Sequence, residues 1–120
     1  MATQNIVLGV ENRIGLTAIG QSDWILLDNH RTGNYPIGLS ISHNGATTSF
    51  LCSIEYTFWQ DPETAPTNAI RTHADLAGLT EATLSGDLSG NLSVPITAVR
   101  LDLASITGGE IYLSVIQQGV

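Results

Sequence analysis

Apolar and polar residues alternate one for one along much of the chain. From Phe50, the side chains of Phe50, Cys52, Ile54, Tyr56 and Phe58 share one face of an extended segment. Leu51, Ser53, Glu55, Thr57 and Trp59 share the other. A period of two belongs to a strand with one buried face. Near the end of the chain, Val99, Leu101 and Leu103 alternate with Ala98, Arg100 and Asp102. After Thr107-Gly108-Gly109, the set Ile111, Leu113 and Val115 alternates with Tyr112, Ser114 and Ile116. Two such runs around a Gly-Gly pair predict a β-hairpin.

Shorter strands are predicted at residues 6–9, 14–19, 24–27 and 35–42, with Asn44-Gly45 turning into the Phe50 strand. No stretch of a dozen residues keeps a helical apolar period, and residues 74–79 offer one short turn at most. Residues 60–68 (QDPETAPTN) read as a long exposed loop. Residues 84–93 (LSGDLSGNLS) read as a glycine-rich loop whose repeat is too short for a solenoid. Short strands at roughly 8–12-residue spacing predict an all-β fold, a single antiparallel β-sandwich domain over residues 1–120 that is jelly-roll-like.

The 120 residues suit one domain, since a chain of this size buries roughly two-thirds of its unfolded surface. Four arginines and no lysine face 11 carboxylates, for a formal charge of −7. That balance disfavours nucleic acid and anionic membranes as partners. The longest strictly apolar run, Trp24 to Leu27, is far short of a membrane span, and no basic residue precedes the apolar stretch at residues 6–10. The expectation is a soluble cytoplasmic product with both termini packed. Cys52 is the only cysteine, which excludes an internal disulfide.

Catalytic chemistry finds few candidates. Cys52 lies in register with apolar neighbours and reads as a small buried hydrophobe with an inert thiol. His30, His43 and His73 fall in loops without metal-ligand spacing, and no serine occupies a G-x-S-x-G elbow. Asp87, Ser89 and Asn91 only begin a calcium-loop pattern: the glycine is misplaced, and Ala98 stands where the bidentate acid belongs. Asn91-Leu92-Ser93 is a sequon without a secretory context. These residues predict no catalytic site, no metal and no cofactor. Trp24, Trp59 and Tyr112 could stack a sugar if exposed, although strand aromatics more often fill cores and interfaces.

Four segments, read in order, carry a resemblance. They are Ser22-Asp23-Trp24-Ile25-Leu26-Leu27-Asp28, then Tyr35-Pro36-Ile37-Gly38-Leu39, then Glu55-Tyr56-Thr57-Phe58-Trp59-Gln60-Asp61-Pro62. The last joins residues 96–103 through a Gly-bearing turn to residues 111–118. This order resembles small virion proteins of tailed bacteriophages, including capsid decoration (cement) proteins, over about residues 22–118. The resemblance implies a non-enzymatic β-sandwich of the virion, assembled in the bacterial host cytoplasm. It also implies a homotrimer bound to the major capsid protein on the outer head surface. On that reading the contact elements are residues 2–10, with Ile6 and Leu8, and residues 60–68, with Trp59, Asp61, Pro62, Glu63 and Pro66. The alternatives are a neck, tail or fibre module of the virion, and a carbohydrate-binding domain.

Overall fold

The computed structural model describes residues 3–27, 37–44, 47, 49–80, 88–92 and 96–117. Its strands are β1 (Thr3–Asn5), β2 (Asn12–Leu16), β3 (Gly20–Gln21), β4 (Trp24–Leu26), β5 (Ile37–His43) and β6 (Ser49–Thr57). They continue with β7 (Ile70–Thr72), β8 (Leu79–Thr80), β9 (Leu88–Leu92), β10 (Ala98–Thr107) and β11 (Ile111–Gln117). Three one-turn 3-10 segments lie at Pro62–Thr64, Thr67–Ala69 and Ala74–Leu76, the last within the stretch predicted to make one short turn.

The strands form two sheets. One runs β1-β4-β10-β6-β7, with β3 also on β10 and β8 also on β6; the other runs β2-β11-β5-β9. Their facing sides make the core. From the first sheet come Ile25, Cys52, Ile54, Val99, Leu101 and Leu103, and from the second Leu39, Ile41, Ile111, Leu113 and Val115. Each set follows the period of two seen in the sequence, so the all-β, two-sheet sandwich is the direct consequence of the alternation. In β10 the register against β6 shifts between Leu103 and Ser105. This bulge lets Leu103 and Ile106, three residues apart, both serve the inner side.

Several expectations are corrected. The predicted hairpin across Gly108-Gly109 is an arch between sheets: β10 pairs with β3, β4 and β6, whereas β11 pairs with β2 and β5. Likewise β5 and β6, on either side of Asn44, belong to different sheets. Alternation tells which face of a strand is buried, and both sheets bury the same kind of face. Gly108 and Gly109, at φ 72° and 71°, would suit a tight hairpin turn equally well. The two arches meet: the Asn44 amide donates to the Glu110 carbonyl at 3.2 Å, and Gly109 lies against Thr47.

The sheets are not purely antiparallel, because β1 pairs in parallel with β4 through Thr3–Trp24 and Asn5–Leu26. Residues 6–9 turn instead of forming a strand, and the strand expected at 14–19 runs from Asn12 to Leu16. Part of the predicted loop 84–93 is strand β9, antiparallel to β5 from Ile37–Leu92 to Ile41–Leu88. The rest of that loop, His30, Asp87 and the outermost residues of both termini lie outside the described residues.

Candidate functional site

At the end of β6 the alternation stops. Thr57 is fully buried, its hydroxyl donating to the Ala69 carbonyl at 2.8 Å and accepting from the Trp59 amide at 3.0 Å. One side chain thus closes residues 57–69 into a loop and turns the chain so that Phe58 and Trp59 leave the sheet. Phe58, expected on the buried face, is 51% exposed and meets Tyr56 edge-on at 5.9 Å; Trp59 is 45% exposed. Asp61 then accepts from the Glu63 amide at 3.3 Å, capping the turn that Pro62 begins.

The same end of the sandwich holds a second apolar pair. Asn12, buried at the start of β2, accepts from the Val7 amide at 2.9 Å. Its side-chain amide donates to the carbonyls of Val7, Val10 and Val115 at 3.0, 3.0 and 3.3 Å. That one residue fastens the turn at residues 7–10 to β11. Gly9, at φ 79°, gives its amide to the Gln117 carbonyl. Val7 and Val10 are left 60% and 50% exposed.

Ile6 to Leu26, Leu27 to Thr97 and Thr97 to Thr57 are joined by backbone bonds of 2.9 Å each. These bonds carry one rim across β1, β4, β10 and β6. Three strand spacings make its width about 14 Å.

The predicted contact residues divide between exposed and buried positions. Trp59, Asp61, Glu63 and Pro66 are exposed on the loop, while Pro62 is buried. Ile6 packs against the core and Leu8 is half-buried. Across the described residues 3–10 the exposed large apolar side chains are instead Val7 and Val10, which the sequence pattern does not single out. Asn12 and Thr57, which hold the exposed residues, were also missed. An isolated Asn beside a V-L-G-V run carries no signal of the bonds it makes.

The three aromatics considered for a sugar platform do not come together. Trp24 is 2% exposed on the outer face of the first sheet, beneath the Arg100 guanidinium at 4.3 Å, and Arg100 is paired with Glu55 at 2.9 Å. Tyr112 lies on the outer face of the other sheet, with Arg13 over its ring at 5.1 Å. There Glu11 accepts from Ser114 and from Arg13 at 3.2 Å, and these bonds hold its carboxyl below the usual range, the Ser114 hydroxyl first.

Cys52 is buried on the inner side of β6. Desolvation, with the charge of Asp102 adding to it, pushes its thiol up to about 12. His73 caps the turn at Ala74–Leu76 by accepting from the Asp75 amide at 3.2 Å, and His43, expected in a loop, ends β5 with its ring 5.4 Å from that of Phe50 at a 44° tilt. Among the described residues no three His, Cys, Asp or Glu side chains are grouped as metal ligands would be. No described helix is long and apolar enough to cross a membrane. Comparison with protein-family models, with curated proteins and with solved structures finds no match to the chain.

Proposed function

We propose that the chain is a structural protein of a tailed-bacteriophage virion, a decoration (cement) protein that binds the outer head surface, and that its sandwich is a jelly roll. The observation that carries the reading is strand order. With the short β1, β3 and β8 set aside, numbering β2, β4, β5, β6, β7, β9, β10 and β11 from one to eight gives sheets 1-8-3-6 and 2-7-4-5. Two Greek keys wound into a jelly roll generate that order, which viral capsid domains share with lectins and cupins. A fold of this kind hosts many functions. The motifs at residues 22–28, 35–39, 55–62, 96–103 and 111–118 direct the choice among them, through their resemblance to phage virion proteins.

A decoration protein needs rigid strands, contact loops and no chemistry. It stabilises a shell by binding the assembled state, in proportion to its occupancy. A charge of −7 keeps many copies soluble side by side. The reading carries with it a homotrimer, the major capsid protein as partner, and assembly in the host cytoplasm before residence in the virion.

Co-sedimentation with shells assembled without this chain, alongside light scattering of the free protein, tests it. Saturable binding at high copy number with later heat disruption of the shell is the expected result. A small fixed ring number would move the protein to the neck, tail or a fibre, and no binding would end the head assignment. A second reading, a carbohydrate-binding domain, is favoured by exposed Trp59 beside Phe58 alone, because Trp24 is buried. Glycan binding unaltered by Trp59→Ala, or absent altogether, removes it.

A further inference from the structure

Two buried polar side chains hold four large apolar residues outside the fold. Asn12 fixes the turn that exposes Val7 and Val10, and Thr57 fixes the loop that exposes Phe58 and Trp59. Both pairs occupy one end of the sandwich, at opposite extremes of the rim formed by β1, β4, β10 and β6. A side chain exposed by slack would lack such anchors. These are set in place, which lowers the ordering cost of docking, and an exposed Trp beside a Phe is the kind of residue pair that anchors energetic hot spots.

Charge selects the partner. The loop beside Trp59 presents Asp61 and Glu63 and no cation. Of the arginines among the described residues, Arg71 is exposed on β7 across from Tyr56, while Arg13 is tied to Glu11 and Arg100 to Glu55. With a chain charge of −7 and no lysine, another copy would bring acid to acid. We infer that this end of the sandwich is a preformed docking surface for a different protein whose contact patch is apolar and rimmed by Arg or Lys. On the decoration reading, on which this assignment of a partner rests, that patch lies on the shell.

The first test needs no knowledge of the partner. A fluorescent amphipathic peptide of leucine and lysine is titrated onto the full-length protein by anisotropy, with a leucine–glutamate peptide as its acidic counterpart. The expected result is saturable binding of the Leu–Lys peptide only, weakened by salt. Phe58→Ser/Trp59→Ser should reduce it by about tenfold or more, whereas Ile19→Ser, an exposed apolar residue in the β2–β3 turn, should leave it unchanged.

Val7→Ser/Val10→Ser, on the other side of the rim, should weaken binding as well, and it keeps the test decisive if the aromatic variant folds poorly. Absent binding, equal binding of both peptides, or indifference to both double variants overturns the inference. So does sedimentation that finds an oligomer of this chain dissolved by Phe58→Ser/Trp59→Ser, since the occupant is then a second copy. Trp59-dependent glycan binding without peptide binding overturns it in favour of a sugar.

Shells separate this inference from the decoration reading. If shells bind wild type and the double variants equally, the docking end is wrong and the decoration reading stands. If the peptide result holds and shells bind nothing, the decoration reading falls and the docking end stands.

Discussion

Replacing Gly109 by alanine tests the contact between the two arches that connect the sheets. At φ 71° an alanine sits in the left-handed region, which costs about 1–2 kcal/mol. Its Cβ would also lie 2.7 Å from the Thr47 amide nitrogen, with the Thr47 hydroxyl and the Asn44 side-chain oxygen closer still. The backbone nitrogen cannot swing aside as a side chain can, so one arch must shift, at roughly 1–3 kcal/mol for overpacking of this kind. The sum for Gly109→Ala is about 2–5 kcal/mol.

Gly78→Ala is the control. Gly78 has φ 63° and nothing within 4 Å of the added methyl, so only the conformational cost of about 1–2 kcal/mol applies. The loss of unfolded-state entropy on Gly→Ala is common to both and cancels in the difference. Urea unfolding followed by tryptophan emission should place Gly109→Ala about 1–3 kcal/mol below Gly78→Ala at unchanged m. Thr47→Ala in the Gly109→Ala background should recover part of the loss, because it removes the hydroxyl and leaves the amide. Equal destabilisation of the two single variants, within about 0.5 kcal/mol, would refute packing of one arch on the other.

Three further outcomes follow from single side chains. Asn12→Asp puts a carboxylate before the carbonyls of Val7, Val10 and Val115, so it should cost about 3–5 kcal/mol at neutral pH and Asn12→Ala only about 2–3. The introduced carboxyl is charged at a cost in the folded state, so its pKa is raised there and stability should recover as pH falls; denaturant midpoints at two pH values check this. Glu11 should titrate by NMR below the usual carboxylate range, and Ser114→Ala should move it up. Since its folded pKa is depressed, its contribution to stability is present above the unfolded pKa and lost as pH falls through the folded one. With its thiol pushed up to about 12, Cys52 should resist iodoacetamide at about pH 8 in the folded protein and react fully in urea; prompt alkylation of the native chain would contradict its burial.

What could be read from the chain was whatever a single strand carries within itself. The inward sets of β6, β10 and β11 are the residues the alternation selects, because a half-buried strand needs nothing beyond its own period. Partnership is a different kind of information. Gly108-Gly109 has the backbone freedom of a hairpin, and only β6 and β5, recruited from far upstream, decide that β10 and β11 go to opposite sheets. The glycine-rich repeat hid β9 for a related reason: Leu88–Leu92 is strand because β5 offers it an edge, not because its residues favour extension.

The candidate docking end shows the same division. Trp59, Asp61 and Glu63 are legible as exposed because two prolines and a run of polar residues mark the loop. Val7 and Val10 are not, and alternation alone puts Phe58 on the buried side, because the period carries no sign of the hydroxyl that ends it. The Thr57 side chain, in register with the solvent face of β6, is fully buried; it bonds across the loop to Ala69 and back to Trp59. A polar side chain on the outer face of a strand reads as solvated until the chain folds over it. Where such residues fasten apolar neighbours outward, as Asn12 and Thr57 both do, local period and final exposure disagree. That disagreement is expected of a surface kept for contact, since core packing alone would have turned those side chains in.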